Sequence, residues 1–200
     1  MKELERHAGL FNLIAPIYNR FFNAQVKNYR NILAQFNKRL GMSKEAKILD
    51  IGCGTGAFLF CLAELGYQCS GIDFAPSMLK AAKKSTAPFV IDFQLGDATK
   101  QLPFSDKSFD LVISSYVLHG VTSNWRHNIF VEANRLSRGK ILIYDYKQTR
   151  RFLTDFIEWA EGGDYYNFIR NGEQEMRDFF KEVEKYDMGT QTSIYYCSTH

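Results

Sequence analysis

The chain has 200 residues, 46% of them hydrophobic and 24% charged, with a formal net charge of +3. That is the balance of a globular protein with a substantial core. The basic excess is too small, and too scattered between Arg135, Arg138, Lys140 and the pair Arg150, Arg151, to argue for a nucleic-acid partner.

Along the chain, residues 7–40 carry apolar groups at helical spacing, with Pro16 dividing them into two helical pieces and Gly41 as a C-cap. From Lys47 the pattern changes. "KILDIG" reads as a strand and "AFLFCLAELG" as a helix closed by Gly66. "QCSGID" is a second strand, and "PSMLKAAKKS" a helix with Pro76 near its start. "FVIDFQLGD" is a third strand and "FDLVISSYVLH" a fourth. "NWRHNIFVEANRLSRG" is a helix closed by Gly139, "KILIYDY" a fifth strand and "NGEQEMRDFFKEV" a last helix. The end of the chain is two β-rich runs around Met188-Gly189-Thr190, a hairpin signal. Alternating strands and helices predict a parallel sheet with helices on both faces, closed by an antiparallel pair.

Cys53, Cys61, Cys69 and Cys197 form no C-x-x-C pair, and no histidine stands at zinc-ligand spacing from them. They read as reduced thiols, with no metal site expected. The opening Met-Lys-Glu-Leu-Glu-Arg does not read as a signal peptide, and no apolar run is long enough to span a bilayer. A cytoplasmic location is expected.

"ILDIGCGTGAF" (Ile48 to Phe58) places three glycines at alternate positions between a strand and a helix. Such a corner binds ligands in open α/β sheets, because glycine lets the backbone come close. Two patterns overlap in it. Gly52-x-Gly54-x-x-Ala57 meets the relaxed nicotinamide-dinucleotide fingerprint, and Gly52-x-Gly54-x-Gly56 the pattern for S-adenosylmethionine. Asp50 separates them. A pyrophosphate set against this turn would be repelled by a neighbouring carboxylate, whereas an α-ammonium and a sulfonium would be attracted.

Two more acids agree. Asp73 ends the second strand, 19 residues past Gly54, where it can accept from ribose hydroxyls. Asp97 is read as ending the third strand, where it can accept from an adenine amino group. Phe74 and Ala98 follow these acids and can flank the ring. Each acid alone would serve as a helix cap or turn former; three at successive strand ends point to one ligand.

These residues, with "GIDFAPSML", "GDATKQLPFSDKSFDLVISSYVLHGV" and "KILIYDY", resemble the class I S-adenosylmethionine-dependent methyltransferases. Within them the sequence looks like the small-molecule group that includes the ubiquinone/menaquinone methyltransferases. The resemblance implies a Rossmann-like α/β fold, with a mostly parallel seven-stranded sheet, an antiparallel terminal strand, helices on both faces and an N-terminal helical cover. It implies a single domain over 1–200, with residues 1–42 as the cover and 147–171 as a lid-like insertion. It implies S-adenosylmethionine as cofactor and S-adenosylhomocysteine as product. Tyr18 is expected near the cofactor, with Asp50, Gly52, Cys53, Gly54, Asp73, Phe74, Asp97, Ala98 and, through its backbone, Ser114.

Methyl transfer needs a held and aligned acceptor more than it needs acid–base chemistry. By resemblance the end of the fourth strand faces the reacting methyl, which makes Tyr116 and His119 the catalytic candidates. His119 suits a general base, and also suits a hydrogen-bonded structural role. Cys53 reads as a small residue that fits the loop. The aromatic flanking segments suit a small apolar or aromatic acceptor, and equally suit plain packing. Two other readings are a cofactor-binding sensor or subunit without turnover and a nicotinamide oxidoreductase, the latter disfavoured by Asp50.

Overall fold

The computed structural model describes residues 21–147 and 164–199. The sequence reading treats the chain as one domain; its backbone is compact in two units, Met1–Asp97 and Ala98–His200. Seven strands belong to one mixed, mostly parallel sheet.

The first unit begins with α1 (Phe22–Leu40), ended by Gly41 at φ 54°. Its buried face is Val26, Tyr29, Leu33, Phe36 and Leu40, the three-and-four spacing of one helical stripe. Next come β1 (Lys47–Ile51), α2 (Ala57–Glu64), β2 (Gln68–Asp73), α3 (Pro76–Ser85) and β3 (Ile91–Leu95). β1 and β2 run parallel, with Asp50 opposite Gly71, and β2 and β3 run parallel, with Asp73 opposite Leu95. β1 is buried without alternation from Ile48 to Ile51, as a strand covered on both faces must be. α1 packs on α2 by stacking Tyr29 on Phe58 at 4.4 Å and by an Arg30–Glu64 pair at 2.6 Å.

The second unit holds β4 (Leu111–Ser115), a 3-10 turn (Leu118–Gly120), α4 (Ser123–Leu136), β5 (Lys140–Tyr146), α5 (Tyr165–Phe179), β6 (Glu182–Asp187) and β7 (Thr192–Ser198). β4 and β5 are parallel. β7 lies between β5 and β6 and runs antiparallel to both. The expected hairpin is therefore present, and its second strand is the one that joins β5.

Three of the boundaries that differ from the sequence reading bear on the candidate site. β3 stops at Leu95, so Asp97 lies two residues beyond the strand it was expected to end. β4 stops at Ser115, and the stretch up to His119 leaves the strand at Tyr116, whose φ is +54°. α5 starts at Tyr165, so the last part of the expected 147–171 insertion is helix, with Tyr165, Phe168 and Ile169 buried. The first helical piece, Tyr18 and the rest of the insertion lie outside the described residues.

Candidate active site

In the first unit the chain leaves β1 through Gly52, Gly54 and Gly56, at φ 74°, 52° and 78°. All three are conformations that L-side chains seldom adopt. The backbone N–H groups of Gly52 and Cys53 both donate to Ile72 O, at 2.8 and 3.0 Å, which ties the loop to the end of β2. The glycines then divide their work. A Cβ on Gly54 would meet nothing within 4 Å, so this glycine borders open space. A Cβ on Gly56 would come to 3.0 Å from Thr86 Cγ2 and 3.3 Å from Ala82 and Phe93. Gly56 serves close packing on α3 and β3, rather than the ligand approach expected for the whole series.

Asp73 is fixed by the loop. Its Oδ2 accepts the Gly54 N–H and its Oδ1 the Ala75 N–H, each at 2.9 Å. Burial pushes its carboxyl above the ordinary value, opposed by the N–H groups of Ala75, Gly54 and Phe74. Asp50 is 2% exposed, and its Oδ1 is buried without a hydrogen-bond partner. Burial first, and the Asp73 charge second, hold its carboxyl well above the usual range. Two acids thus share a dry corner with an acceptor atom to spare, which is an arrangement that asks for a cation. Cys53 is buried, and burial together with Asp73 and Asp50 holds its thiol protonated, so it is no nucleophile. Phe74, next to Asp73, and Asp97, two residues past β3, are both half-buried.

Sequence reading missed Gln25. Its Oε1 accepts from the buried Thr55 Oγ1 at 3.2 Å, linking α1 to the glycine loop. No spacing rule marks such a contact, which spans 30 residues of chain.

In the second unit, Ala98 is half-buried and Ser114 is buried with its Oγ lacking a partner. His119 sits on the 3-10 turn with its Nδ1 2.7 Å from Asp145 Oδ1. Asp145, fully buried, also accepts the N–H of Leu118 at Oδ2 and of Tyr146 at Oδ1. With the carboxylate as acceptor, Nδ1 carries the proton and Nε2 a lone pair. Around this pair stand Tyr116, Tyr146 and Tyr165, with the Tyr146 ring 4.8 Å from His119 and 5.4 Å from Tyr165. Asp145 was not singled out from sequence, although it sits one residue from the end of its strand, as Asp50 does.

Arg126 fixes the turn that carries His119. It is fully buried, donates to Leu118 O at 3.4 Å and to Val121 O, and pairs with Glu175 at 2.5 Å and Asp164 at 3.1 Å. Among the described residues no cluster of acids, histidines and cysteines can hold a metal ion, and no helix is long and apolar enough to cross a membrane.

A family model described as a methyltransferase domain matches residues 49–143. The match covers just under half of the chain and supports a methyltransferase domain over those residues. The glycine corner lies inside the matched stretch, as do Asp73, Asp97, Tyr116 and His119; Asp145 falls just beyond it. The chain is 30% identical over 154 residues to a demethylmenaquinone methyltransferase of Tropheryma whipplei (strain Twist), covering 74% of this chain and 62% of that protein. The chain thus spans about three fifths of the length of that relative. Among solved structures, a protein from Pyrococcus horikoshii OT3 shares the fold at a TM-score of 0.69 and 22% identity, covering 86% of this chain and 92% of that one. Magnesium protoporphyrin IX methyltransferase from Synechocystis, solved with bound S-adenosylhomocysteine, shares it at 0.63 and 16% identity, covering 88% and 83%.

Proposed function

We propose that the chain binds S-adenosylmethionine at the glycine corner and transfers its methyl group by in-line displacement to a small apolar or aromatic acceptor. The observation that carries this reading is the buried, partnerless Oδ1 of Asp50 beside a loop whose Gly54 borders open space. The cofactor's α-ammonium supplies the missing donor for Asp50. Its carboxylate suits the N–H groups of the first turn of α2. Asp73, already held by two N–H groups, keeps lone pairs for ribose hydroxyls, and Asp97 with Phe74 and Ala98 takes the adenine. The same two acids oppose a pyrophosphate, so the nicotinamide reading gains no support.

The cofactor supplies an electrophilic methyl carbon. The residues of the chain hold and align the acceptor, and His119, oriented by Asp145, takes a proton from it where one must leave. A relative named for a demethylmenaquinone acceptor is in keeping with an apolar ring among Tyr116, Tyr146 and Tyr165. The test is transfer of label from methyl-labelled S-adenosylmethionine to solvent-extractable molecules in the low-molecular-weight fraction of a cell extract. Label should move with the intact chain and fall at least tenfold with His119→Ala. Cofactor binding with no transfer to any fraction would favour a sensor without turnover.

A further inference from the structure

One face of the first unit is built from α1, α2 and α3. β1, β2 and β3 are successive parallel neighbours in the sheet. Two right-handed crossovers in one direction put α2 and α3 on the same side of it, and α1 packs on α2. The surface of this layer carries an aromatic ridge. Phe22 of α1 meets Phe60 of α2 edge-on at 5.7 Å, and Phe60 meets Phe89, in the loop after α3, at 5.0 Å. All three rings are half-buried. The ridge ends in exposed apolar groups, with Phe21 at 55% and Val90 fully exposed. Single apolar residues are ordinary on a surface, but a continuous run such as this marks a contact surface.

The same layer is basic. Glu64 is the one acid in its three helices, and it is engaged by Arg30 at 2.6 Å. Lys27 of α1 and Lys80, Lys83 and Lys84 of α3 are exposed and make no ion pair among the described residues. α3 turns Met78, Leu79 and Ala82 into the protein, so helical spacing points its three lysines outward. Val90 lies shortly after Lys84 in the chain. Asp92, the next acid, is exposed and accepts from Gln94 Nε2 at 2.7 Å. The basic residues of the three helices exceed their acid by more than the chain's whole net charge of +3.

We infer that this layer docks on an anionic membrane surface, with Phe21 and Val90 set into the headgroup boundary and the lysines on lipid phosphates. Such a surface is matched on both counts. Apolar groups partition into the boundary of headgroups and acyl chains, and each lysine is drawn to anionic lipid. A nucleic acid matches the lysines but leaves Val90 without a partner, because its binding rests on phosphate contacts and base stacking. The inference goes beyond the methyltransferase reading and does not depend on it. The Phe60 N–H donates to Gly56 O at 2.8 Å, so the ridge stands one helical turn from the glycine corner, and docking carries that corner to the lipid surface.

The test is sedimentation of the chain with vesicles of phosphatidylcholine alone and of phosphatidylcholine with an equal part of phosphatidylglycerol. The mixed vesicles should hold the chain at least tenfold more strongly, and added salt should release it. Val90→Asp should weaken that binding at least fivefold and Lys84→Glu at least threefold. Both side chains are exposed, so both variants should keep the native melting temperature. Lys181→Glu makes the same charge change in the second unit and should leave binding within twofold. No binding to the mixed vesicles, equal binding to both kinds, equal losses in Lys84→Glu and Lys181→Glu, or unaltered binding in a folded Val90→Asp variant overturns the inference. Binding of poly(U) RNA in place of the mixed vesicles overturns it and gives the layer to nucleic acid. Calorimetry with S-adenosylhomocysteine on the same samples reads the cofactor site separately.

Discussion

Asp73 holds the Gly54 N–H at 2.9 Å across 19 residues of chain, so the acid assigned to the ribose also shapes the glycine loop. Removing its side chain should then do two things. Asp73→Ala should weaken S-adenosylhomocysteine by roughly 1.5–3 kcal/mol, the range for hydrogen bonds to a charged group, and should speed amide hydrogen exchange at Gly54 and Ala75. Asp73→Asn keeps one oxygen and should lose less on both counts. Faster exchange with unchanged affinity would show that Asp73 serves the loop alone.

Asp50 makes a prediction in pH. Its folded-state carboxyl titrates above the unfolded value because of burial and the Asp73 charge. A raised acid favours the folded state while protonated, and that advantage is lost as pH rises from the unfolded value through the raised one. Thermal melts of the free protein should therefore fall over that window, and Asp50→Asn should flatten the fall. Binding of the cofactor's ammonium should drive off the proton. Calorimetry in buffers of different ionisation enthalpy should show proton release on S-adenosylhomocysteine binding that Asp50→Asn abolishes. Adenosine, which lacks the ammonium, should bind both proteins alike.

The glycines separate stability from binding. Gly56→Ala sets a methyl 3.0 Å from Thr86 Cγ2 at φ +78° and should cost about 1–3 kcal/mol in thermal or urea unfolding, as an imposed backbone conformation does. Gly54→Ala meets open space, so it should cost less stability and more cofactor affinity. A Gly54→Ala variant with native affinity would place the ligand elsewhere.

Much of this site was legible because it is local. Ile48 to Phe58 carries a strand, a turn and a helix start within eleven residues, and β2, α3 and β5 have the bounds their patterns predict. What was not legible depends on contacts far apart in sequence. Asp145 reaches His119 across 26 residues and Arg126 reaches Glu175 across 49, and neither distance has a periodic signature. The ends of β3 and β4 were misjudged for another reason. Val117 and Leu118 continue the apolar pattern past Ser115, but the chain turns away at Tyr116 through a positive φ that composition does not announce, and past Leu95 the strand ends at Gly96, before the acid that was read as its last residue.

Arg126 links the polar cluster of the second unit to stability. Burial alone would raise Glu175, but hydrogen bonds from Arg126 and Ser123 more than offset it and hold the carboxyl below its ordinary value. A lowered acid contributes stability above its unfolded value and loses it as pH falls through the folded one. Arg126→Met should remove that acid limb. It should also cost roughly 3–5 kcal/mol near neutrality, as breaking a buried pair does, measured by urea unfolding from acid to neutral pH.

The central claim is that the glycine corner with Asp50 and Asp73 holds S-adenosylmethionine. It is tested most directly by calorimetric titration of the chain with S-adenosylhomocysteine and, in parallel, with NAD. The account predicts saturable one-to-one binding of S-adenosylhomocysteine, weakened at least tenfold in Asp73→Ala and in Asp50→Asn, and no heat from NAD. Saturable NAD binding with no response to S-adenosylhomocysteine would contradict it.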